Sequence, residues 1–82
     1  MKIDKKYGDK IYVEWIDALE EAGWKSFKDA CEVPDEVFCY TSAWFISQDK
    51  DFVIVSHTKG KTEKNEILGK LLIPKKWIKK IK

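Results

Sequence analysis

No arginine occurs among the 82 residues, and all 16 basic side chains are lysine. Lysine attracts phosphate or carboxylate as a point charge, whereas a two-pronged contact to guanine needs the guanidinium fork. Histidine is almost as scarce, with His57 alone, and there are two cysteines, Cys31 and Cys39. Three soft ligands without CxxC or HxxxH spacing fall short of a four-ligand zinc site. The acidic pairs Glu20-Glu21 and Asp49/Asp51 lack the oxygen-rich loop that calcium needs. No metal or other cofactor is expected. Glycine and proline are few, at 4 and 2, and there is no repeat or low-complexity tract. No apolar run approaches the ~18 residues of a membrane span, and the opening MKIDKKYGDK has no secretory apolar core. Two ordinary thiols without such a leader predict a reduced, cytoplasmic protein.

What is abundant is apolar and aromatic: 44% hydrophobic and 13% aromatic residues suit a globular fold and exclude disorder. At this length one domain is expected, over residues 1–82, with 1–8 frayed. At least three of the four tryptophans (Trp15, Trp24, Trp44, Trp77) are expected in the core. Charge is uneven behind a net of +2. Residues 1–69 hold 10 lysines and all 14 acids, while 70–82 hold 6 lysines and no acid.

The strongest local signal runs from Val37 to Thr58. Two runs rich in aromatic and β-branched residues flank the polar turn Asp49-Lys50-Asp51, the mark of a β-hairpin. In its first arm Phe38, Tyr40, Trp44 and Ile46 share one face, and Val37, Cys39, Ala43 and Phe45 the other. Apolar residues on both faces predict cover on both, or a strongly bent strand in a small barrel. Upstream, KIYVEWI over Lys10–Ile16 alternates as a strand. DALEEAG from Asp17 predicts a helical turn capped by Asp17 and closed by Gly23. Ser26, with Asp29 three residues on, opens a second short helix from Phe27 to Cys31, which Pro34 ends.

Downstream, Lys59 to Glu66 is a polar loop and Ile67–Pro74 a strand, in which Gly69 marks a bend or a close approach of another backbone. Lys75 to Ile78 reads as one helical turn before a last short strand. The expected class is therefore mainly β with one or two short helices, as a small SH3-like or Sm-like barrel of 4–5 antiparallel strands. The ending GKLLIPKKWIKKI resembles the ending of SH3-type barrels. An α+β roll, one helix on a four-stranded sheet, is the alternative.

Four pieces taken together carry a wider resemblance: VEWIDA at 13–18, GW at 23–24, CYTSAWFISQDKDFVIV at 39–55 and GKLLIPKKWIKKI at 69–81. The chain resembles a group of small bacteriophage and prophage proteins with the pattern V-x-W-x-D…GW, C-x-S-x-G-(W/Y)-L-V, G-x-x-x-I-P…I-x-x-I. Thr41 and Ala43 stand at its serine and glycine positions. The likeness implies origin and fold, and lends no activity.

Counting out from Lys50 places Phe45 near Val55 and Ala43 near His57, so Cys39 falls beyond reach of the only histidine. No catalytic residue is assigned, and the protein is expected not to be an enzyme. Two binding surfaces are expected instead. Tyr7, Tyr12, Trp24 and Tyr40 are candidates for an exposed patch that engages a protein partner, the leading reading. Lys70, Lys75, Lys76, Lys79, Lys80 and Lys82, bracketing Trp77, are candidates for a nucleic-acid phosphate backbone. A solvated lysine face is the plainer account of that cluster. Homo-oligomeric pairing at an open sheet edge is the third reading.

Overall fold

The computed structural model describes residues 2–62 and 66–82; the expected loop 59–66 lies partly outside the described residues, at 63–65. Five strands form one antiparallel sheet: β1 Lys10–Ile16, β2 Phe38–Gln48, β3 Phe52–Lys59, β4 Ile67–Pro74 and β5 Ile78–Ile81. Their spatial order is β4-β3-β2-β1-β5.

Each strand follows from its residues. Asp49 builds the β2–β3 turn: its carboxylate Oδ1 accepts the Asp51 and Phe52 N–H groups at 2.8 and 2.7 Å, and its own N–H donates to the Phe52 carbonyl at 3.0 Å. A bulge between Phe45 and Ser47 bends β2 above that turn. Pro74 ends β4. Lys75–Trp77 then makes one 3₁₀ turn before β5 returns to pair with β1.

The core takes alternate residues from each strand: Ile11 and Val13, Ala43 and Phe45, Val53 and Val55, with Ile73 and Ile78. Ile3 joins them at 5% exposure, and its carbonyl accepts the Gln48 amide at 2.7 Å. The expected fraying of residues 1–8 is thus not seen at Ile3, which the core anchors.

The mainly β expectation holds, as an open five-stranded antiparallel sheet with one short helix. No ladder joins β4 to β5 among the described residues, so the sheet does not close into a barrel. The roll alternative fails as well: α1 (Phe27–Ala30), the one α-helix among the described residues, buries none of its residues and forms no layer on the sheet.

Three further expectations are corrected. No helix forms over 17–23: Asp17 accepts the Ala18 N–H at 2.8 Å, but the chain runs irregularly to Gly23 at φ 102°. A run this short cannot nucleate a helix without packing, and none of its side chains is buried in the core. The tryptophans do not fill the core. Trp15 and Trp44 are half-buried, Trp77 is 40% exposed and Trp24 stands wholly in solvent. The second face of β2 is not covered either, since Tyr40 is 66% exposed.

Candidate functional site

The side of the sheet away from the core gathers rings and cations. The β1–β2 register sets Lys10 opposite Trp44, Tyr12 opposite Ser42, Glu14 opposite Tyr40 and Ile16 opposite Phe38. Directly paired residues point to the same side, so these eight share one face. β5 adds Lys80 opposite Glu14, and Lys82, whose backbone N–H and C=O exchange bonds with Tyr12 at 2.9 and 3.1 Å. A bulge between Glu14 and Trp15 turns Lys79 to the same side.

The Tyr12 and Tyr40 rings lie nearly parallel, 11° apart in plane with centroids 6.0 Å apart. Lys82 Nζ stands 5.7 Å from the Tyr12 centroid, Lys79 Nζ 5.6 Å from that of Phe38, and Lys10 Nζ 4.9 Å from that of Trp44. At exposed sites such cation–ring contacts are each worth about 0.5–1 kcal/mol. Desolvation, then the Glu14 carboxylate and the neighbouring Tyr40 phenol, push the Tyr12 phenol above its usual range.

The two expected residue sets are therefore partly merged. Tyr12 and Tyr40 meet Lys79, Lys80 and Lys82 on one face. Lys70, on β4, continues the row of Lys10, Trp44 and Ser56 across the sheet. Lys75 and Lys76 lie elsewhere, in the 3₁₀ turn; Lys75 Nζ donates to Gln48 Oε1 at 2.8 Å. Trp77 stacks on Trp15 at 6.5 Å rather than standing among free lysines, and the Trp15 indole N–H donates to Thr41 Oγ1 at 2.9 Å. Tyr7 stands apart with Lys59 Nζ 5.4 Å above its ring.

Trp24 belongs to a different surface. Between β1 and β2 the chain leaves the sheet as an arm, residues 18–36, closed at its base where the Asp17 N–H donates to the Val37 carbonyl at 2.8 Å. Ser26 caps α1 by accepting the Asp29 N–H at 3.1 Å, and Lys25 pairs with Glu21 at 3.1 Å. These local bonds hold the arm while its large apolar side chains stay in water. Trp24 is 104% exposed, Phe27 87% and Val33 71%. Residues 17–36 also hold seven acids against two lysines, a balance of −5. Sequence reasoning singled out Trp24 but not Phe27, which it placed inside a short helix, nor Val33, since no local spacing reports exposure.

The groups considered for catalysis stay apart in role. His57 Nδ1 bonds Thr58 Oγ1 at 2.7 Å, and the Cys39 thiol points to the Val37 carbonyl at 3.8 Å. Cys31 and Cys39 are both free thiols. Among the described residues no three His, Cys, Asp or Glu side chains group as a metal site, and no helix is long and apolar enough to cross a membrane. Neither a family model, nor a curated protein, nor a solved structure matches the chain, so its function is argued from the two surfaces just described.

Proposed function

We propose that the chain is a non-enzymatic binding module that engages a protein partner through the arm of residues 18–36. One observation carries this: Trp24, Phe27 and Val33 stand 104%, 87% and 71% exposed in a segment held by local bonds, whose helix α1 buries none of its residues. Each such ring offers ~150–250 Å² to a partner, and tryptophan is the commonest interface hot spot. The −5 balance around them selects a partner whose apolar groove is rimmed by basic groups. The resemblance to phage-type proteins motivates a bacterial host protein as that partner, and the 3₁₀ turn before β5 supports an SH3-like lineage for the open sheet.

The test is paired affinity capture from a nuclease-treated bacterial lysate, using the wild type and the W24A/F27A variant. The reading predicts a protein retained by the wild type and lost by the variant. Identical capture by both chains, or none by either, overturns it.

Self-association is a second reading, favoured by the β4 edge. Leu68 and Leu72 are 62% and 44% exposed there. The Lys75 N–H donates to the Asp51 carbonyl, and antiparallel alternation from that bond turns the backbone of Leu72, Lys70 and Leu68 to the open edge. β5, the other edge, carries Lys79 and Lys80 in its short run and is guarded by charge. Light scattering should give twice the 9.6 kDa chain mass for the wild type and the single-chain mass for L72K. A wild-type mass of one chain at ~0.5 mM removes this reading.

A further inference from the structure

The outer face of β1, β2 and β5 shares no residue with the arm, and it has the opposite charge. Lys10, Lys79, Lys80 and Lys82 border Tyr12, Phe38, Tyr40 and Trp44, with Glu14 the acid set among them. Phe38 is 41% and Tyr40 66% exposed, so ring surface remains open after the lysines have taken their positions. We infer that this face is a binding site for single-stranded nucleic acid, with the rings stacking on bases and the lysines neutralising phosphates.

Three features select that ligand. The Tyr12 and Tyr40 rings stack in parallel planes 11° apart, and with Tyr40 66% and Phe38 41% exposed they keep open ring surface that an unpaired base can lie on and a stacked duplex cannot reach. The cations are lysines, which hold phosphate without the forked geometry that reads a particular base. Binding should therefore tolerate any sequence. An acidic polypeptide would meet the same lysines but would leave the ring faces unused, which makes the rings the discriminating element.

Fluorescence anisotropy with a labelled oligo-dT of ~20 nucleotides at ~50 mM salt tests the site on the full chain. The expected result is saturable binding whose log Kd rises with log salt at a slope of ~2–3, from three or four phosphates at ~0.7 each. Y40A should weaken it about five-fold or more, and K79E/K80E/K82E should abolish it, with both variants still folded at the assay temperature by circular dichroism. A duplex of equal length should bind at least ~10-fold more weakly, and polyglutamate should not compete. Absence of binding, a wild-type affinity in folded Y40A, or equal affinity for polyglutamate or duplex overturns the inference. The last two outcomes would mean a charged surface without a stacking platform.

Discussion

The imidazole of His57 occupies the space beside the Gly69 Cα across the β3–β4 ladder. A Cβ on Gly69 would overlap the His57 Cδ2, Nε2 and Cγ atoms, and the Gly69 backbone sits at φ 76°. Both facts demand glycine there. The approach expected from the sequence is real, but its partner is a ring and not a backbone.

Gly69→Ala should therefore destabilise the protein by about 2–4 kcal/mol, combining left-handed strain with displacement of the ring. His57→Ala alone should cost under ~1 kcal/mol, because His57 is exposed and its ring bonds the neighbouring Thr58 hydroxyl. The double variant should recover the ring-collision part and retain about 1–2 kcal/mol of backbone strain. Urea melts of the four chains measure this cycle. Strict additivity would show that the ring and the glycine do not interact.

Ile3 supplies a second test, since the N-terminal segment is pinned at one buried side chain and one amide bond. Ile3→Ala should lower stability by about 2–4 kcal/mol by urea denaturation, as for other buried aliphatic truncations. A change under ~0.5 kcal/mol would mean that residues 2–8 contribute nothing to the core.

Asp49 gives a pH dependence of known sign. The Phe52 and Asp51 backbone N–H groups hold its carboxyl below the ordinary 3.8; desolvation opposes them, and the weaker Lys75 and Lys50 charges add to the lowering. A folded-state pKa below the unfolded one contributes stability that is complete above the unfolded value. That contribution is lost as pH falls through the lower folded value. Asp49→Asn should lower the urea midpoint at about pH 7, and the gap to the wild type should close on acidification below about pH 4. A gap that stays constant down to about pH 2 would show that the charge plays no part in the turn.

The arm predicts an absence of effect. W24A/F27A should shift stability by no more than ~0.5 kcal/mol, because neither side chain buries surface in the folded chain. A loss above ~2 kcal/mol would place these rings in the core and remove the arm as a docking element.

The strands were legible where local chemistry decides. Alternation defined β1, the Asp49-Lys50-Asp51 turn defined the hairpin, and Pro74 defined the end of β4. Counting from Lys50 also placed Phe45 opposite Val55, as found. The outer face was not legible. Phe38, Tyr40 and Trp44 could be assigned to one side of β2, but their meeting with Tyr12 and Lys82 depends on the β1–β2 and β1–β5 registers. Register between strands distant in sequence is set by packing, which local spacing does not encode. The arm misled for a related reason. Residues 17–23 have helix formers, but no neighbouring surface rewards a helix there, and propensity alone does not hold so short a one. Sheet closure likewise depends on where β4 ends up relative to β5, which no local signal reports.

The central claim is that Trp24 contacts a protein in the cell. A photo-crosslinking amino acid placed at position 24, activated in living bacteria and analysed after nuclease treatment, addresses it directly. A discrete covalent adduct with one protein is expected, absent when the crosslinker sits instead at exposed Lys61. An unmodified chain at both positions, or the same adducts from both, would contradict it.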